Sequence, residues 1–169
     1  ITGGGRCNVT NSEFDVRKFL AHYKDSDKFL FSAFTQYGVS DTLDFFHAHD
    51  MPTKVENEGR TFPISDSARS VYNVLVKEME RLGVTVMMEV KVIGFDIVDA
   101  THGEYKKHIK HVSVQVAGKA LELQAKKYIL ATGGTSHPET GSTGDAYPWL
   151  ESMGHTVIIP KPVLVPVVI

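Results

Sequence analysis

An α/β fold is the class this sequence predicts, and three observations predict it. "SDSARSVYNVLVKEMERLG" is an amphipathic helix, with Val71, Leu75, Met79 and Leu82 on one face, and it runs within a residue into the β-rich "VTVMMEVKVIGFDIV". The segments "HIKHVSVQV" and "KALELQA" alternate with period two about a turn at Gly118, so they read as an antiparallel meander. The short apolar run "YILAT" then passes directly into a loop holding Gly133, Gly134, Gly141 and Gly144. A helix, a strand, a meander and a strand ending in a glycine loop make an α/β arrangement in which the meander replaces a crossover helix.

The elements before these form a helical group. "SEFDVRKFLAHY" has Ser12 as its expected cap and Val16, Phe19, Leu20 and Tyr23 at helical spacing. "DKFLFSAFTQYG" stops at Gly38, and "SDTLDFFHAHD" restarts behind Ser40 and ends before Pro52. "TKVENEGRTFP" alternates around Asn57-Glu58-Gly59, which predicts a small hairpin. Ser65 or Asp66 is the expected cap of the long helix and Gly83 its stop. After the second glycine loop, Asp145 is placed to cap a helix to about Met153, ended by Gly154, and "HTVIIPKPVLVPVVI" is an extended exit segment. The chain therefore divides into a glycine loop at 1–11, a helical segment with its hairpin at 12–82, a strand and meander at 84–131, and a glycine loop, helix and exit segment at 132–169.

Bulk properties narrow the function classes. The 169 residues, 42% hydrophobic and 22% charged, suit one soluble domain with a hydrophobic core. A net charge of −2 leaves no electrostatic footprint for nucleic acid. No apolar run approaches the roughly 18–20 residues of a membrane span, so neither nucleic acid nor membrane is an expected partner. The single cysteine, Cys7, excludes an internal disulfide framework and fits a cytoplasmic location.

Two glycine stretches carry the chemistry. In open α/β sheets, loops at the carboxyl ends of strands point backbone N–H groups at ligands, and small residues let a cofactor lie against the main chain. "YILATGG" has that form, as a tight turn after a buried strand also would. "GGGRCNVTN" adds Arg6, a fixed cation with a donor fork, and the short polar side chains of Asn8, Thr10 and Asn11. This first stretch is not a complete G-x-G-x-x-G fingerprint, since Asn8 stands at the last position. His102, His108 and His111, like His47 and His49, lack metal-ligand spacing, so no metal is expected. No nucleophile–base pair or carboxylate pair identifies catalytic residues.

The blocks "TGGGRCNVTN", "GRTFPISDSA", "YILATGGTSHPETGSTGDAY" and "GHTVIIPKPVLVPV", in this order, resemble the BaiN-like, or aminoacetone oxidase-like, family of FAD-binding flavoproteins across nearly the whole chain. The chain departs from the family in having Thr2 where serine is usual and Ala146 where glycine is usual. The family's N-terminal dinucleotide turn and its second domain are also missing, so the chain reads as a fragment expected to hold FAD only weakly.

The resemblance implies part of a FAD-binding Rossmann-like domain with an antiparallel β-meander and a helical insertion. It implies that Gly3, Gly4, Gly5, Arg6, Cys7, Asn8 and Val9 line the FAD near the flavin, and that Ala131, Thr132, Gly133 and Gly134 pass close to its nucleotide part. Val90 is expected to hold the adenine through its backbone. Cys7 is expected to line the cofactor rather than react. The activity implied for the full-length protein is flavin-mediated hydride transfer on a small molecule, with NADH or NADPH as a possible electron donor. The alternative is a nucleotide-binding or interaction module without redox activity.

Overall fold

The computed structural model describes residues 5–99 and 107–160. It comprises two compact units, Ile1–Val86 and Met87–Ile169, each described by itself.

The first unit begins with β1 (Thr10–Asn11), followed by the helices α1 (Val16–Ala21), α2 (Asp27–Gln36) and α3 (Val39–Ala48). The hairpin expected around Asn57-Glu58-Gly59 is present as β2 (Thr53–Val55) and β3 (Arg60–Pro63), and α4 (Ala68–Arg81) closes the unit. The strands form an antiparallel sheet in the order β1-β3-β2, with Thr10 opposite Thr61 and Lys54 opposite Phe62. The central β3 is the most buried strand, with Thr61 fully enclosed and Phe62 buried beside it. The core is Phe46, Met51 and Val74, with Val9, Phe45 and Val71 packed against it.

The helices lie where periodicity placed them, but their caps differ. Asp15, not Ser12, caps α1, because its extended backbone lets Oδ1 accept from the N–H groups of Arg17 and Lys18 at 2.9 and 3.1 Å. Ser12 instead donates its backbone N–H to the Gly59 carbonyl. α3 starts from Gly38 rather than Ser40, and Asp41 reaches back to accept the Gly38 N–H at 2.7 Å. Ser67 caps α4, since Asp66 is drawn into ion pairs and Ser65 bonds the Ser70 hydroxyl. The buried stripe of α4 is Ala68 and Val74 with half-buried Val71, whereas Leu75 and Leu82 are 44% and 61% exposed. The helix turns toward the side on which Phe46 and Met51 offer apolar partners, one position away from the expected face.

In the second unit, β4 (Val90–Asp99), β5 (Lys107–Val116) and β6 (Lys119–Leu123) form the expected three-stranded antiparallel meander. Ala117 and Gly118 both have positive φ and make the two-residue turn between β5 and β6. Register shifts between Val92 and Gly94 and between Asp96 and Ile97 interrupt the β4–β5 ladder. Between the two shifts, His111 and Val112 are both buried although they are neighbours in sequence. α5 (Ala146–Ser152) follows Asp145 at its N-cap, and Trp149 meets Phe95 edge to face at 5.3 Å.

Two expected strand segments are not strands. Residues 84–89 remain outside any ladder, with Val86, Met87 and Met88 exposed. Tyr128–Thr132 likewise pairs with no strand among the described residues, and Ile129 is 93% exposed. Apolar content makes a strand only where a neighbour completes its hydrogen bonds. Here the Tyr128 hydroxyl accepts the Ala125 N–H instead.

Candidate functional site

The first glycine loop is tied to the sheet and to α4. Val9 donates its N–H to the Thr61 carbonyl at 2.8 Å, and the Asn8 side-chain oxygen accepts the Thr61 N–H at 3.2 Å. Ala68, the first residue of α4, donates to the Gly5 carbonyl at 2.8 Å. Gly5 has φ +69° and nothing lies within 4 Å of where a Cβ would sit, so its backbone faces open space. Cys7 is half-buried and forms no disulfide. Gly3 and Gly4 lie outside the described residues.

Arg6 is the centre of a charge network that sequence reading did not reveal. Its Nη2 donates to Glu56 Oε1 at 2.5 Å and lies 2.8 Å from Asp66 Oδ1, while its guanidinium sits 4.2 Å from the centre of the Phe62 ring. Lys54 Nζ completes the network, 2.5 Å from Asp66 Oδ2 and 3.4 Å from Glu56 Oε1. Hydrogen bonding from Arg6 holds the Glu56 carboxyl below its ordinary range, and hydrogen bonding from Lys54 does the same for Asp66. The Glu56 bond raises Arg6 still further, so the guanidinium is permanently charged. Two cations and two carboxylates, from the loop, β2, the residue that follows β2 and the turn after β3, therefore brace the loop against the hairpin. Nothing in the spacing of residues 6, 54, 56 and 66 announces this, because it depends on β2 and β3 pairing.

The second glycine loop is closed on itself. A Cβ on Gly133 would lie 2.8 Å from Ser142 Oγ, so the two arms of the loop touch at a point that only glycine permits. Thr140 and Ser142 donate their backbone N–H groups to the His137 carbonyl, and His137 Nδ1 lies 2.8 Å from Glu139 Oε1.

Beside this loop is a cavity of about 450 Å3 whose walls include Val90, Lys91, Val92, Thr132, Gly141 and Trp149. It brings Val90 and Thr132, 42 positions apart in sequence, to one site, with the start of β4 forming one wall. Ala131, Gly133 and Gly134 flank Thr132 in the chain but do not line the cavity. Trp149 and Lys91 join the lining without having been singled out in the sequence. The one available signal was that Trp149 is the chain's single tryptophan.

No group of three or more His, Cys, Asp or Glu side chains is placed to hold a metal among the described residues. His111 is buried, with Nδ1 3.6 Å from Asp96 and Nε2 3.5 Å from Glu122, while His108 is exposed.

Comparison with known proteins decides the family. The family model described as "HI0933-like protein Rossmann domain" matches residues 1–161. The chain belongs to the HI0933-like Rossmann family. Its α/β fold is thus a Rossmann-like one carrying a helical group and an antiparallel meander.

A curated relative in Clostridium scindens, 3-dehydro-bile acid delta(4,6)-reductase, is 32% identical over 164 residues, covering 97% of this chain and 36% of that protein. This agrees with the resemblance to BaiN-like proteins. Ribosomal RNA dihydrouridine synthase of Escherichia coli is 28% identical over 171 residues, covering 98% of this chain and 38% of that protein. Its namesake in Haemophilus influenzae is 26% identical over 166 residues, with the same coverage of 98% and 38%. The chain spans somewhat over a third of the length of these HI0933-like relatives. No helix among the described residues is long and apolar enough to cross a membrane.

Proposed function

We propose that this HI0933-like chain is the cofactor-binding part of a FAD-dependent oxidoreductase acting on a small molecule in the cytoplasm, with NADH or NADPH as electron donor. The observation that carries the proposal is the cavity joining Val90 and Thr132, in a chain whose family is established over residues 1–161. FAD, when bound, supplies hydride transfer; the protein supplies binding, orientation and electrostatics. Each unit, taken by itself, offers a place for part of that group. At the nucleotide end, β4 and the second glycine loop enclose a cavity of about 450 Å3, within the size range of small-molecule sites. At the flavin end, Gly5 presents uncovered backbone, and Asn8 and Val9 are fixed by their hydrogen bonds with Thr61. Arg6 holds this loop rigid through Glu56 and Asp66, and any contact it makes with a cofactor oxygen is additional to those two.

The relatives' names both describe reduced products: one is a delta(4,6)-reductase of a 3-dehydro-bile acid and the other makes dihydrouridine in ribosomal RNA. We assign this chain's protein the reduction of a carbon–carbon double bond conjugated to a carbonyl in a small molecule, consistent with the chain's net charge of −2.

Trp149 gives a direct test, because it lines the proposed nucleotide site. Adenosine diphosphate is expected to change its fluorescence saturably, with affinity weaker than micromolar, while flavin mononucleotide causes no change beyond its own light absorption. Equal response to both, or to neither, would refute the adenosine assignment. Expressed with its genomic flanking sequence, the protein is expected to carry a flavin that NADH or NADPH bleaches and a conjugated carbonyl compound reoxidises. A bound flavin that no donor reduces would favour the module without redox activity.

A further inference from the structure

We propose that the aromatic recess between β1 and the α1–α2 pair is the binding site for the flat ring of the substrate, a neutral conjugated ring with a carbonyl or amide edge. The flavin reading is needed only to call that molecule the substrate. The ring site itself is argued from the first unit alone.

The recess has a volume of about 480 Å3, enough for a ring system with substituents. Three aromatic side chains line it. Phe19 lies 4.9 Å from Phe34 and 5.7 Å from Tyr23, centre to centre, and all three pairs are tilted by 36–43°. Such a cluster closes against itself when it serves only as core. Here Tyr23 is 45% exposed and an open volume remains beside the rings, so aromatic surface stays available to an incoming ring.

The polar atoms define the edge chemistry. Asn8 Oδ1 is occupied by the Thr61 N–H, which leaves the Asn8 amide hydrogens as donors toward a carbonyl. Thr42 Oγ1 gives its hydrogen to the Gly38 carbonyl and so keeps acceptor capacity for an N–H. The Tyr23 hydroxyl and the His22 ring make no hydrogen bond among the described residues. Asn11 is committed at both ends, with Nδ2 to the Glu58 carbonyl and Oδ1 to the Glu13 N–H, so its wall is rigid. No Asp, Glu, Lys or Arg lines the recess, which favours a neutral ring over an ion.

Position supplies the link to chemistry. Asn8 and Val9 belong both to this recess and to the glycine loop, so a ring bound here lies beside whatever that loop holds.

The test uses two probes that share an amide but differ in flatness, benzamide and cyclohexanecarboxamide, titrated into the 169-residue chain without flavin. Benzamide is expected to shift the backbone amide signals of Asn8, Thr10, Tyr23, Phe34 and Thr42 saturably. Its ring protons are expected to show Overhauser contacts to the Phe19, Tyr23 and Phe34 rings. Cyclohexanecarboxamide should bind about 5-fold more weakly, the scale of one aromatic contact. Tyr23→Leu should erase that preference and Tyr23→Phe should retain it, each with an unchanged circular dichroism spectrum. Equal binding of the two probes, or shifts centred elsewhere, would overturn the site, and the Overhauser contacts decide the matter on the unmodified chain if Tyr23→Leu does not fold. Nicotinamide mononucleotide binding in the recess more than about 10-fold tighter than benzamide would reassign it to the hydride donor and overturn the substrate assignment. Because no flavin is present, the outcome is independent of the Trp149 experiment, and either reading can fail alone.

Discussion

The two glycine loops are held by opposite means. Residues 5–9 are fixed by partners far away in sequence: Thr61, Ala68, Glu56 and Asp66. Residues 133–144 are fixed mainly by themselves, through Ser142 against Gly133 and the bonds to the His137 carbonyl. A loop braced by distant elements keeps its shape only while the whole unit is folded. A loop closed mainly on itself depends less on the rest of its unit, so a local change there spreads less far.

The largest effect that would expose this contrast comes from alanine at two glycines of positive φ. Gly59 has φ +72°, and an added Cβ would meet Asn11 Oδ1 at 2.8 Å and Ser12 Oγ at 3.0 Å, the residues that lead out of the first loop. Gly141 has φ +96° with nothing within 4 Å. Gly141→Ala should cost about 1 kcal/mol, for backbone strain alone, and Gly59→Ala about 2–3 kcal/mol, because contacts are displaced as well. Urea midpoints measure both, and equal losses would remove the distinction between the loops.

A smaller effect is expected at Arg6. Arg6→Ala should lower the melting temperature of the flavin-free protein by less than Gly59→Ala does, because Glu56 and Asp66 lose a shared cation. Arg6→Lys should recover only part of the loss, since a point charge cannot reproduce a fork that also stacks on Phe62. The difference from wild type should narrow in high salt. An unchanged melting temperature in Arg6→Ala would show that the network does not brace the loop.

The smallest effect is a pH dependence confined to the first unit. His49 Nδ1 donates to the Phe45 carbonyl at 2.7 Å and Nε2 lies 3.1 Å from Glu78 Oε2, so the backbone bond first and Glu78 second raise the imidazole above its ordinary value. A group raised in the folded state contributes stability that is complete below its unfolded value, about 6.5, and is lost as pH rises through the folded one. The urea midpoint should therefore fall slightly from pH 6 to pH 8, and His49→Gln should flatten the slope. Glu78 has the opposite sign. Arg81 first and His49 second hold it at about 2, so its contribution is present above the ordinary carboxylate range and is lost as pH falls toward 2. A midpoint that rises between pH 6 and pH 8 in wild type alone would contradict the His49 assignment.

Much of the fold was legible because it follows from local chemistry. The β4–β6 meander was readable from alternation broken by one turn at Gly118, and α4 from an apolar stripe ended at Gly83. The caps were legible only to within two or three residues. Ser12, Asp15, Ser65, Asp66 and Ser67 are all suitable chemically, and the backbone angles that choose among them are set by the tie from Ser12 to Gly59 and by the Arg6 network. At the candidate site, Val90, Thr132 and Asn8 could be named from motif resemblance, but Lys91, Trp149 and Glu56 could not, since the resemblance gives their side chains no role.

What the sequence determined by itself was the local inventory: which segments are helical, where turns with positive φ must fall, and that two glycine loops exist. Side-chain periodicity and glycine's freedom act over a few residues, so they need no knowledge of distant partners. Tertiary structure decided the rest. It left Tyr128–Thr132 out of any ladder, offset the buried face of α4 toward Phe46 and Met51, and turned Arg6 from an isolated cation in a loop into the centre of a four-charge brace. Strand hydrogen bonds, core contacts and ion pairs each require a second element to arrive, and sequence spacing does not say which one will.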